Sequence, residues 1–270
     1  MGQGATGQGG SAAVQGAAAF GKAMAVLQVV SDAAEPVSVA QIARLTGHPR
    51  PTVHRIVAAL QAEGMLAEVP RGGAFGLGPR LMALAARAWD RFELRLIAAE
   101  ELAKLRDATG ETVHLAVRSG PEMIYVDKLE SPRAVRMASR IGTRVPLHSS
   151  SVGKAWLAAL PPDEAAALLP RLDLTAMTPQ TLTTVAALAA EIERIRARGY
   201  SIDAEENEAD IWCYGGAIAG APIAGKAKAI GCISVSIPKY RAAIDDPERY
   251  AGPLLACCGR IAALAAEGVR

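Results

Sequence analysis

"HPRPTVHRIVAALQAEG", residues 48–64, opens with two prolines set among basic residues and then becomes a regular apolar repeat. Val53, Ile56, Val57 and Leu60 fall at i, i+3, i+4 and i+7, which is one stripe of a helix. Pro51 suits the first helical position, because an N–H there has no intrahelical acceptor to lose. The same geometry turns Thr52, His54, Arg55 and Ala58 outward. A helix dipole favours acidic side chains near its first turn, yet this helix places Arg50, His54 and Arg55 around that turn and no acid. The matching negative charge has to come from a partner.

Working outward, "SVAQIARLTG" (38–47) predicts a helix that starts at a capping Ser38 and stops at Gly47, a few residues before the basic one. The pattern Phe20, Met24, Leu27 predicts an earlier helix over 17–31. After Gly64, "MLAEV" and "AFGLG" are two short apolar runs around "PRGG", a hairpin with Arg71 at its tip. Three helices followed by a hairpin is the layout of a winged helix-turn-helix. A helix presented after a tight turn can enter a DNA major groove. There Arg50 and Arg55 can pair with phosphate or guanine, Thr52 and His54 can make shorter contacts, and Arg71 can reach the backbone or adjacent minor groove.

The bulk properties are compatible with that reading. At 270 residues, 51% hydrophobic and 21% charged, the chain is long enough for two domains with cores built mainly from aliphatic residues. Residues 1–91 hold 8 Lys and Arg against 5 Asp and Glu, net +3, and residues 92–270 hold 21 against 22, net −1. The basic excess is N-terminal and modest. Four cysteines without a CxxC pair read as reduced thiols rather than a disulfide framework or metal site. No segment has the pattern of a signal peptide or a membrane span, so the expectation is a cytoplasmic protein without membrane contact, metal or cofactor.

Residues 1–16, rich in Gly, Gln and Ala, read as a disordered tail. A DNA-binding unit over 17–78 then passes through a helix at 79–91 into a second domain over 92–270. In that domain a helix runs to about Thr109. Two strands, "TVHLAVRSG" and "MIYVDKLES", follow it, and then helices near 152–160, 162–169 and 182–198. Strands near 200–204, 209–214 and 228–237 precede a final helix from about Pro247 to Glu267. The fold class is α+β.

Several separated blocks then resemble those of the IclR-type transcriptional regulators: "SVAQIARLTGHPRPTVHRIVAALQAEGML", "FGLGPRLMAL", "TGETVHLAV", "RVPLHSSSVGKAWLA", "IRARGYSIDAEEN" and "GCISVSIP", in that order over residues 17–268. The resemblance implies a winged helix-turn-helix joined by a linker helix to a GAF-like effector-binding domain. It also implies dimers or dimers of dimers on a roughly palindromic operator, repressing or activating genes of small-molecule metabolism. It places an effector, by default a small acidic or aromatic metabolite, between the sheet and the helix carrying VGKA. On this chain the matching residues are Ser150, Ser151, Asp203, Cys213, Ser234 and Ser236, with Met137, on the strand before "RVPLH", and Trp212 as further candidates. Hydroxyls and backbone N–H groups at a helix start suit a carboxylate or a phenolate. The stretch "YGGAIAGAPIAGKAKAIG" departs from the family by its length and lack of an acid.

Two motifs point elsewhere. "SVGK" has the S-x-x-K spacing of serine acyl-transfer enzymes, so a hydrolase using Ser151 and Lys154 is the alternative, although neither S-D-N nor K-T-G completes it. "GAPIAGKA" resembles a phosphate loop, but Ala227 stands where Ser or Thr is needed and no clear buried strand precedes it, so it reads as a flexible connection.

Overall fold

A computed structural model describes residues 17–70, 72–90, 92–134, 137–220, 228–242, 244 and 246–267. The expected tail at 1–16 and the hairpin-tip Arg71 lie outside the described residues. The chain divides into two compact units, Met1–Arg91 and Phe92–Arg270.

In the first unit α1 (Ala17–Asp32), α2 (Val39–Thr46) and α3 (Arg50–Ala62) pack with a small antiparallel sheet of β1 (Val37–Ser38), β2 (Leu66–Glu68) and β3 (Ala74–Leu77) in the order β1-β3-β2. Ser38 and Gln41 form a full capping box at the start of α2, and Gly47, at φ 68°, closes it in the left-handed conformation that lets the chain turn sharply into α3. The core is Val26, Val30, Val37, Ile42, Val53, Val57, Leu66 and Phe75. Two expectations change. The buried stripe of α1 is Val26 and Val30, whereas Phe20 and Met24 are 69% and 46% exposed. Pro49 caps α3, so Arg50 takes the first helical position and Pro51 the second. The helix α4 (Pro79–Asp90) completes the unit.

The second unit is a six-stranded antiparallel sheet, β6-β5-β4-β9-β8-β7, covered by helices on both faces. Its strands are β4 (Thr112–Ser119), β5 (Glu122–Leu129), β6 (Arg144–Pro146), β7 (Ser201–Ala204), β8 (Ile211–Ala219) and β9 (Ala229–Pro238). On one face α5 (Glu93–Thr109) and α9 (Glu248–Glu267) bury Leu102, Leu105, Leu254 and Ile261 against Tyr214, Ile233, Val235 and Ile237. On the other, α6 (Ser151–Ala158) and α8 (Val185–Arg198) bury Val152, Leu157, Leu188 and Ile192 against Met123, Val145 and Cys232. The short α7 (Pro162–Leu168) lies between them in sequence. All four cysteines are free and buried.

Three expectations are corrected here. Met137 is not on a strand: it sits in an irregular stretch whose carbonyl accepts a bond from Lys128 Nζ at 2.8 Å. The Gly/Ala-rich stretch is in large part sheet, with β8 reaching Ala219 opposite Ala229, and only 221–227 falls outside the described residues. A largely buried strand therefore does precede "GAPIAGKA".

Candidate functional site

The start of α6 organises the second unit's cavity. Ser150 caps the helix, its Oγ accepting from Gly153 N at 3.1 Å and donating to Pro146 O at 2.6 Å. Gly153 is required by contact: a Cβ there would lie 2.5 Å from Leu147 Cα and 2.6 Å from the carbonyl oxygens of Pro146 and Leu147. Ser201 Oγ on β7 donates to Ser151 O at 2.6 Å and fastens the helix start to the sheet.

Between this helix start and the sheet lies a cavity of about 30 Å³, room for about two or three waters. Six of the eight expected effector residues line it: Met137, Ser150, Ser151, Asp203, Cys213 and Ser236. Ser234 stands one step back, its Oγ 3.3 Å from His114 Nδ1. Trp212 does not belong to the cavity. It packs against the core under α5 and α9, because successive strand residues point to opposite faces and Cys213 takes the cavity side.

The residues missed from sequence are His114, Tyr125, Ser139, Asn207, Glu208 and Ile211. His114 is buried and stacks on Tyr125 with centroids 4.3 Å apart. Its Nε2 lies 2.7 Å from Ser139 Oγ and its Nδ1 3.3 Å from Ser236 Oγ. Burial, with the nearby Lys128 charge, pushes the imidazole down to about 3, so the ring is neutral at physiological pH. Cys213 is held as a thiol by burial and donates to Ser236 Oγ at 3.2 Å. Asp203 accepts from the backbone N–H groups of Glu206 at 2.7 Å and Asn207 at 3.2 Å. Burial nevertheless drives its carboxyl up to about 7, against the opposing pull of Lys154 and of these N–H groups.

Lys154 is fully buried and ion-paired with Glu206. A lysine that activates a serine must be neutral, whereas this ammonium is committed to a carboxylate. The geometry therefore gives no support to the Ser151/Lys154 hydrolase.

In the first unit, Arg50, His54 and Arg55 are exposed on α3 and Thr52 is half-buried. Among the described residues neither arginine has an ion-pair partner, while the helix's own acid, Glu63 at its C-terminal end, is taken by Arg80. No acidic residue lies in the first turn. Among the described residues no helix is long and apolar enough to cross a membrane.

A helix-turn-helix whose recognition helix carries arginines without ion-pair partners among the described residues, on one chain with an α/β unit that holds a polar cavity, is the arrangement of a DNA-binding regulator. Residues 19–70 match the profile described as "IclR helix-turn-helix domain", and residues 86–263 match "Bacterial transcriptional regulator IclR C-terminal". The chain belongs to the IclR family, whose members are transcriptional regulators and not enzymes. It is 30% identical over 239 residues to the HTH-type transcriptional repressor AllR of Escherichia coli, covering 88% of this chain and 87% of that one. It is 32% identical over 192 residues to the HTH-type transcriptional regulator XynR of the same species, covering 71% and 76%. Among solved structures, Thermotoga maritima IclR superposes with a TM-score of 0.70 at 29% identity, over 92% of this chain and 98% of that one. An IclR homologue from Microbacterium hydrocarbonoxydans complexed with 4-hydroxybenzoate does so with a TM-score of 0.74 at 25% identity, over 92% and 99%.

Proposed function

We propose that this regulator binds a roughly palindromic operator through α3, with Arg50, Thr52, His54 and Arg55 meeting bases and phosphates and Arg71 following from the wing. A small carboxylic acid in the cavity bordered by Ser151, Asp203, Cys213 and Ser236 modulates that binding. The observation that carries the reading is the pair of exposed arginines on α3 with no anion of the protein's own among the described residues. Cavity size favours an acid of a few heavy atoms over an aromatic one, although the homologue complexed with 4-hydroxybenzoate supports a carboxylate-bearing ligand in general.

A palindromic site calls for two copies, read by symmetry-related helices. The helix α4 supplies a surface for pairing: none of its side chains from Pro79 to Trp89 is buried, and Met82 and Leu84 are 76% and 49% exposed. Such a dimer acts on chromosomal DNA in the cytoplasm, with α4 as the route of coupling between effector and operator.

The test is a salt titration. Duplexes selected from a random pool by the full-length protein are bound at several salt concentrations by the parent and by Arg55→Ala. Loss of one phosphate contact reduces the magnitude of the log K against log salt slope by about 0.9. Loss of a bidentate guanine contact costs about 1–3 kcal/mol at one base pair. Equal affinity and equal slope remove Arg55 from the interface.

A further inference from the structure

The buried charges around the cavity do not balance. Asp203 on β7, Glu206 in the following loop and Lys154 on α6 are 3%, 8% and 0% exposed. Two carboxylates thus share one ammonium, whose direct partner is Glu206. The other ionisable groups facing Asp203 are Glu208, the Cys213 thiol on β8 and the Tyr125 phenol on β5, with the neutral His114 ring across the cavity. Lys128, whose charge acts on His114, is engaged by the carbonyls of Met137 and Ser139 and by Glu130. Among the described residues, no Lys or Arg lines the cavity.

Both backbone N–H bonds to Asp203 fall on Oδ1, and Oδ2 has no hydrogen-bond partner among the described residues. An ionised Asp203 would set a bare carboxylate oxygen against any incoming anion, at low dielectric and with no cation to intervene. Like charges so placed repel strongly unless one of them takes a proton.

We propose that Asp203 meets its effector as an acid: the proton on Oδ2 is donated to a carboxylate of the ligand, so that the anion binds only together with a proton on Asp203, one taken up from solvent wherever the carboxyl is ionised. This rests on the reading of the cavity as the effector site. Below about pH 7, where burial keeps Asp203 protonated, the acid is already in place. Above it, the carboxylate, one solvent proton and the ligand anion combine, and the only bond formed is the O–H that bridges the two carboxylates. The site therefore takes small monocarboxylates. A dicarboxylate brings a second charge that nothing in the cavity matches, and an ammonium ligand would prefer the ionised Asp203 and show the opposite pH dependence.

Two measurements on the full-length protein test this. In the ligand-free protein, ¹³C spectra of the aspartate carboxyls should show one group titrating near pH 7, absent from Asp203→Asn. A protein in which every aspartate titrates below pH 5 overturns the proposal. Calorimetric titration with lactate, a three-carbon monocarboxylate, in phosphate and in Tris should show almost no proton uptake at pH 6 and close to one proton at pH 8. The affinity should fall about tenfold per pH unit above 7, and Asp203→Asn should abolish this pH dependence. Lactate affinity independent of pH in the parent overturns the proposal. Failure of lactate to bind at either pH, with Asp203 still titrating near 7, instead overturns the small-carboxylate reading of the cavity and with it the coupled uptake.

Discussion

Gly153→Ala is the sharpest test of how the cavity is held. The added methyl would stand 2.5–2.6 Å from three backbone atoms of residues 146 and 147, where nonbonded carbon contacts want about 3.5–4.0 Å. No side-chain rotamer can absorb the clash, so α6 must retreat by about 1 Å from the "RVPLH" segment. Overpacking of this kind costs about 1–3 kcal/mol, and the 3.1 Å cap bond from Gly153 N to Ser150 Oγ is worth about 1 kcal/mol more. Against this, alanine gains about 1 kcal/mol of helix propensity over glycine. The net is a loss of about 1–3 kcal/mol, or roughly 2–12 °C in the melting of the second unit. The control is Gly259→Ala on α9, where a Cβ meets nothing within 4 Å and propensity alone should stabilise by up to about 1 kcal/mol. Urea denaturation followed by tryptophan fluorescence reads both. If Gly153→Ala were as stable as Gly259→Ala, α6 would not be seated against residues 146 and 147, and the cavity as described would not exist.

Other perturbations address the charges and the lip of the cavity. Lys154→Met should destabilise by about 3–5 kcal/mol, because it strands a buried Glu206 whose Oε2 already lacks a partner; adding Glu206→Gln should recover much of this, and an unchanged denaturation midpoint in the single variant would refute the pair's importance. For Asp203, a folded pKa raised from 3.8 to about 7 means that stability is lost as pH rises between those values. Asp203→Asn removes that penalty and should gain on the parent from pH 5 to pH 8, by at most about 4 kcal/mol; parallel stability curves would contradict it. Ser151→Leu should fill the cavity and abolish the effector-induced rise in melting temperature while operator affinity stays the same, and a persisting rise would exclude Ser151 from the site.

What could be read from the residues follows from how local the determining interaction is. The stripe Val53, Ile56, Val57, Leu60, the cap at Ser38 and the stop at Gly47 are all settled within one turn or two, and the helix-turn-helix was legible for that reason. The first helix forms where its period predicts, but that period admits two faces: Val26 and Val30 turn inward, whereas Phe20 and Met24 are exposed. Hydrophobicity alone does not say which face finds a partner. At the cavity, Ser234 and Ser236 came from the family resemblance, and of the two only Ser236 lines it. Trp212 and Cys213, being adjacent on β8, could never both face the ligand, and this could have been deduced from the period of two. His114 was out of reach. It joins the site only because β4 pairs with β9 in the register His114↔Ser234, a contact between residues 120 positions apart that no local pattern announces.

That same non-locality explains why one eight-residue helix carries so much of the site. Within α6, the cap at Ser150 and the first turn at Ser151 face the cavity, Gly153 allows the close approach to residues 146 and 147, and Lys154 reaches across to Glu206. Glu206 N in turn donates to Asp203, while Thr178 and Thr181 hold the carbonyls of Glu205 and Glu206, each at 2.6 Å. The two sides of the cavity are therefore already tied by Lys154 to Glu206 and by Ser201 to Ser151. On the proposed reading, a ligand bridging Ser151 and Asp203 would add a third tie between the same elements. It would stiffen an existing contact without having to create one, and a few hydrogen bonds formed only in the bound state would match the ~1–3 kcal/mol typical of coupling between two sites.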